Sequence, residues 1–145
     1  MVGGAGIMVK AVALCVVLAS ALNGCFWRSY DRLALTHVDL LEALARKGAD
    51  LVASGRLTAE SMPELTYPLE RAQAFAKQAR ARAGDAPPAS LAAFETLVAR
   101  YRAFVDALDR VRREQRGAEA RAALEAPLKA VEDAAAAARS ALHGG

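Results

Sequence analysis

Apolar residues recur along this chain at alternating spacings of three and four, the signature of helices with one buried face. Over residues 29–54, Leu33, His37, Leu40, Leu44, Gly48 and Leu51 form one stripe, widened by Leu41 and Val52, and Gly55-Arg56 follows as a stop. The second segment, 58–83, starts raggedly. Thr58 and Ser61 are both N-cap residues by type, and Ser61 with Glu64 has the spacing of a capping box. Pro63 and Pro68 suit first-turn positions better than a helix interior, which predicts a short turn near 58–66 and then a helix over 67–83. Its inward positions are Leu65, Leu69, Ala72, Phe75, Ala76 and Ala79.

Gly84-Asp85-Ala86-Pro87-Pro88 is the clearest break. Ser90 is expected to cap a third helix over 90–116, ended by Gly117. Along it Leu91, Phe94, Val98, Tyr101, Val105 and Leu108 follow an a/d pattern, reinforced by Leu97, Phe104 and Val111. A fourth segment, 119–142, repeats the logic with Leu124, Leu128, Val131, Ala135, Ala138 and Leu142; Pro127 either opens this helix or kinks it. No strand-like alternation occurs. Four helices joined by short turns predict an all-α, antiparallel up-down-up-down four-helix bundle. The rival is a hairpin of helices three and four, with helices one and two closing only in an oligomer.

Before the first amphipathic segment lies a different pattern. Lys10 is the only charged residue ahead of Arg28, and Ala11 to Leu22 is apolar throughout save for Ser20. A basic n-region, a short h-region and small residues before a cut describe an export signal and not folded structure. Leu22-Asn23-Gly24-Cys25 resembles the lipobox of bacterial lipoproteins, with Asn23 in place of the more usual Ala, Ser or Thr. The resemblance implies that residues 1–24 are a signal peptide and that Cys25 becomes the first residue of the processed protein. It also implies covalent diacylglycerol and a fatty acyl chain such as palmitate on Cys25, and a domain at residues 25–145 anchored on the periplasmic side of the cell envelope. Phe26, where some enterobacterial lipoproteins carry an inner-membrane retention Asp, points to the outer membrane by the same analogy. Met8-Val9-Lys10 would be a compact alternative start.

Two other processing outcomes fit the same residues. Ala19-Ser20-Ala21 has the form of an ordinary cleavage site, which would release a soluble chain carrying Cys25 as a free thiol. Alternatively the segment stays uncut. The uncharged stretch from Ala11 to Trp27 is at the lower limit for crossing ~30 Å of hydrocarbon, with Asn23 and Gly24 unfavourably inside it. Cysteine usage agrees with lipidation: Cys15 would leave with the signal, and Cys25 alone forms no intramolecular disulfide.

Charge narrows the function classes. The net charge is +3, and loss of Lys10 with the signal lowers it by one. Arginines alternate with acids, as in Asp106 with Arg110 and Asp109 with Arg113, which are i,i+4 pairs on a helix face. No basic stripe with base-reading residues stands out, so nucleic-acid binding is not expected. No nucleophile elbow, phosphate loop or His-Glu-x-x-His is present. His37 lacks the paired Glu three residues earlier that a bundle metal site uses, since residue 34 is Ala; it reads as a structural histidine. Tyr67 and Tyr101 read as rings buried with a partnered hydroxyl. Leu57-Thr58-Ala59-Glu60-Ser61 is similar to the LTxxQ element of small periplasmic helical chaperones, with Ser61 replacing the glutamine and no second copy.

Phe26, Trp27 and Tyr30 cluster just after Cys25, where aromatic rings suit either a membrane interface or a cap on the helical core. In an antiparallel bundle Arg28, Arg32, Arg80 and Arg82 join them as candidate membrane-facing residues, with Arg139 expected at the same end and Arg110, Arg112, Arg113 and Arg116 at the opposite end. The expectation is a membrane-anchored lipoprotein whose helical domain binds or scaffolds a protein partner without catalysis, cofactor or metal. The alternative is a chaperone-like or apolar-ligand-binding bundle.

Overall fold

The computed structural model describes residues 4–143, with the side chains of 4–9, 11 and 18–24 excepted; the lipobox residues Leu22, Asn23 and Gly24 lie outside the described side chains. Every regular element is helical: α1 (Gly4–Ala53), a 3-10 turn (Ala59–Ser61), α2 (Met62–Ala83), α3 (Ala89–Glu114) and α4 (Ala118–His143). No strand occurs among the described residues. The chain divides into two compact units, residues 1–33 and 34–145.

Residues 4–33 are helical throughout, so α1 starts well before the expected 29. No proline interrupts this stretch, and Gly24 alone costs only about 1 kcal/mol relative to Ala in a helix. The described apolar side chains of this unit at Val12, Leu14, Val16 and Val17 are exposed. Among the described residues, no helix is long and apolar enough to cross a membrane.

In residues 34–145 the core is built on α3. Leu91, Phe94, Leu97, Val98, Tyr101, Phe104, Val105, Leu108 and Val111 are all buried, each position that the a/d pattern marks. Leu65, Leu69, Ala72, Ala76 and Ala79 of α2 and Leu124, Val131, Ala135, Ala138 and Leu142 of α4 complete it. Contacts fix which helices meet. Lys47 pairs with Glu64 and His37 stacks near Phe75, so positions rise along α1 as they fall along α2. Arg80 pairs with Glu95 while the Tyr101 hydroxyl reaches Leu65, the same reversed order between α2 and α3. Arg139 pairs with Asp39 and Arg46 with Glu132, again reversed, between α1 and α4.

On α1 the buried face keeps Leu41, Leu44 and Gly48 of the expected one and is turned toward Ala34, Val38 and Ala45. Ala34, Val38, Leu41 and Ala45 are fully buried and Leu44 nearly so, whereas Leu33 is 52% and Leu40 43% exposed and His37 and Leu51 are half-buried. Gly48, on the expected line, is buried where α1 meets α3. A Cβ there would meet Leu108 Cδ1 at 2.7 Å and Phe104 Cε1 at 3.3 Å, so α1 approaches α3 closely along its line of small residues. The bulky side chains at this contact are supplied by α3, while Leu33 and Leu40 of α1 are left outside.

The helix ends obey local chemistry, with three departures. Gly55 (φ 68°) follows α1 in a Schellman arrangement: the Arg56 N–H donates to the Leu51 carbonyl at 2.8 Å and the Gly55 N–H to Val52 at 3.1 Å. The 3-10 turn is held by Thr58, whose N–H donates to Ser61 Oγ at 3.3 Å; Glu64 is drawn instead to Lys47, so the expected Ser61–Glu64 box does not form. α2 therefore begins at Met62, not 67, and Pro68 lies inside it. Ser90 is not the cap of α3: the extended Pro88 takes that place, and its carbonyl accepts from the Leu91 N–H at 3.0 Å. Pro127 lies within α4, which runs on unbroken.

Candidate functional site

Cys25 sits on helical backbone with its side chain exposed and its thiol free, accessible to modification. Just beyond it three rings pack edge to face: Phe26 with Trp27 at 5.0 Å and Trp27 with Tyr30 at 5.1 Å between centroids. Phe26 and Trp27 are half-buried, and Tyr30 is buried. Arg28 and Arg32, one helical turn apart, are exposed; between them burial pushes the Asp31 carboxyl above its ordinary range. These residues, all from one unit, make the neighbourhood of Cys25 aromatic and basic.

The candidate residues of α2 lie in the second unit. Arg80 is exposed and pairs with Glu95 of α3; Arg82 is exposed in the last turn. Arg80 also borders a groove of about 430 Å³ between α2 and α3, lined by Gln73, Ala76, Lys77, Glu95, Val98, Ala99 and Arg102. A second cleft, about 300 Å³, lies where the end of α1, the end of α3 and the start of α4 meet. Its wall includes Leu57, Val111, Arg112, Gln115 and Arg116. Arg112 is held there by Asp109 at 2.8 Å, and Asp109 also takes Arg113 at 2.6 Å. Its hydrogen bond to Arg112 is the main cause holding the Asp109 carboxyl below its ordinary range, with the charges of both arginines adding to it.

His37 is packed among aromatic rings, with Phe75 at 4.9 Å and Phe94 at 6.0 Å, and those two meet edge to face at 5.6 Å. Burial, then the nearby Arg71 charge, lowers its pKa. No cluster of three or more metal-ligating side chains occurs among the described residues. Tyr101 is buried and donates its hydroxyl to the Leu65 carbonyl at 2.8 Å; burial pushes its pKa well up. Tyr67 corrects the sequence reading. It is 60% exposed, with the Arg71 guanidinium 5.9 Å from its ring centroid.

The most connected polar cluster was not anticipated from sequence. Glu42 is buried, at 8% exposure, and accepts from Arg46 Nη2 at 2.9 Å and from Arg139. Arg139 also grips Asp39 through Nε at 3.1 Å and Nη2 at 3.0 Å, and Arg46 Nε reaches Glu132 at 3.2 Å. Five charged groups thus tie α1 to α4, and Arg139 is committed inward. The available signal was Asp39, Glu42 and Arg46 at spacings of three and four beside the buried Val38 and Leu41. The cluster joins α1 to α4 through these ion pairs. Comparison with known proteins finds no matching family model, no matching curated protein and no matching solved structure.

Proposed function

We propose that this chain is the precursor of a bacterial lipoprotein, cut before Cys25 and anchored by lipid on that thiol. Its residues 25–145 would then act as a non-catalytic binding or scaffolding domain in the cell envelope, at the outer membrane. The observation that carries the reading is the order Lys10, apolar Ala11–Leu22, Leu22-Asn23-Gly24-Cys25, ending on a cysteine whose side chain is exposed. One acyl chain binds a membrane only marginally, and the two or three of a lipoprotein anchor hold it stably. Phe26, Trp27, Arg28, Tyr30 and Arg32 supply the aromatic and basic surroundings that suit a membrane interface.

The helical region is read as an antiparallel up-down-up-down four-helix bundle. Support comes from the reversed pairings of α1 with α2, α2 with α3 and α1 with α4. A binding role is favoured over the chaperone-like alternative by how the surface is built. Leu and Phe side chains of α3 point into a closed core, and the α2–α3 groove is edged by charge and floored by small residues.

Expression of Cys25→Ser beside the wild-type chain, in cells fed an alkyne-tagged fatty acid, tests the anchor. The wild-type chain should take up label and fractionate with outer membrane. Cys25→Ser should carry none and accumulate as a heavier, uncut precursor. Normal cutting of Cys25→Ser with release of a soluble product would establish an ordinary export signal instead.

A further inference from the structure

From the groove between α2 and α3 we infer a docking site for one helix of a partner protein, a helix with a narrow apolar ridge flanked on both sides by acids. The inference gives chemical content to the binding role proposed above and does not depend on the lipid at Cys25. Ala76 of α2 and Val98 of α3, each 7% exposed, form the floor, and Ala99 continues it outward. Small side chains on two neighbouring helices leave a trough of about 430 Å³, open to solvent. The lining runs from Gln73 to Arg80 on one wall and from Glu95 to Arg102 on the other, a length of about 10 Å at 1.5 Å per residue. Two turns of a third helix fit that length, and alanine at the floor lets its backbone approach closely. This is the helix-in-groove mode of recognition.

The walls set the charge of the occupant. Lys77 on α2 and Arg102 on α3 are exposed and make no ion pair among the described residues. The one acid of the lining, Glu95, is already taken by Arg80. Unmatched positive charge therefore stands on both walls, and an occupant with acids on both sides of its ridge meets it. A bilayer surface presents the right charge and the wrong shape, because a flat sheet does not reach a floor recessed between two helices.

The test uses the full chain in a neutral detergent and a fluorescent three-heptad synthetic helix carrying Leu and Ala along one ridge with Glu on both flanks. A second peptide has Lys in place of every Glu. The Glu peptide should bind saturably and more weakly at high salt, and the Lys peptide should not bind. Lys77→Glu with Arg102→Glu should weaken the Glu peptide on the order of tenfold or more and admit the Lys peptide. Ala99→Trp, at an exposed position, fills the trough without changing charge and should also abolish binding. Unchanged melting temperatures of these variants would confirm that the fold is intact. Absent saturable binding, or binding that survives Ala99→Trp, overturns the inference, since the latter is general attraction of acid to base. Loss of binding to anionic vesicles in the Lys77/Arg102 variant, with peptide binding unaffected, would assign those cations to lipid and equally overturn it. None of these outcomes bears on labelling of Cys25, so the two proposals fail separately.

Discussion

Tyr101 shows how a single polar atom is placed in a helical core. Its hydroxyl donates to the carbonyl of Leu65, three residues before Pro68 in α2. A proline inside a helix has no N–H for the carbonyl four residues earlier and distorts the ladder around it, and a side-chain donor from α3 meets that stretch. Tyr101→Phe keeps the ring and removes the donor; it should cost about 1–3 kcal/mol in urea denaturation. His37 gives a pH prediction. Burial and Arg71 set its pKa in the folded chain below the 6.5 of an unperturbed histidine. The unfolded chain therefore takes up a proton first as pH falls through 6.5. Stability contributed by the neutral ring is complete above that value and is lost progressively below it, down to the folded pKa. His37→Leu should flatten the dependence of melting temperature on pH between about 5 and 7, above the range where most carboxylates titrate. An unchanged slope in His37→Leu would place the titrating group elsewhere.

At the scale of the element, size and position of apolar residues compete, and α1 and α3 resolve the competition differently. On α3 the large residues and the a/d positions coincide, so its buried face was readable from spacing alone. On α1 they do not. Counting leucines picks the line through Leu33 and Leu40, which are exposed, whereas Ala34, Val38 and Ala45 beside it are buried and Gly48 meets Phe104 and Leu108. Close approach is a property of the pair of helices and leaves no mark in the pattern of either one. Pro68 was misplaced for a related reason, because its cost inside α2 is offset by tertiary contacts that a local reading does not contain. The Asp39–Glu42–Arg46–Glu132–Arg139 cluster was hidden likewise, since its acceptors and donors lie far apart in sequence. The register makes a sharp prediction. Leu97→Ala and Leu108→Ala, both fully buried, should each cost about 2–5 kcal/mol through lost burial and a cavity. Leu40→Ala, at 43% exposure, should stay within about 0.5 kcal/mol. A large loss from Leu40→Ala would restore the leucine line as the buried face.

For the whole molecule, the chain divides at Leu33 into two compact units. The candidate anchor, Cys25, belongs to residues 1–33, and the closed core around α3 belongs to residues 34–145. Folding energy comes chiefly from buried apolar surface, so a chain beginning at Phe26 should keep its helical circular dichroism and its melting temperature to within a few degrees. On the proposed anchor, what it should lose is stable membrane attachment, because ~0.8 kcal/mol per buried acyl methylene would go with the lipid. Any residual attraction would be electrostatic and weak, at about 1 kcal/mol per basic side chain near anionic head groups and decaying within a Debye length of ~8–10 Å. Arg28, Arg32, Arg80 and Arg82 are exposed candidates for it, and Arg80 is paired with Glu95. Mixed with vesicles, the shortened chain should therefore bind anionic lipid only at low salt and neutral lipid not at all. Arg28→Glu should remove more of that binding than Arg80→Glu does, since Arg80 is already paired with Glu95. Sedimentation of the shortened chain with neutral vesicles at high salt would show that the aromatic cluster, and not lipid or charge, holds this protein to a membrane.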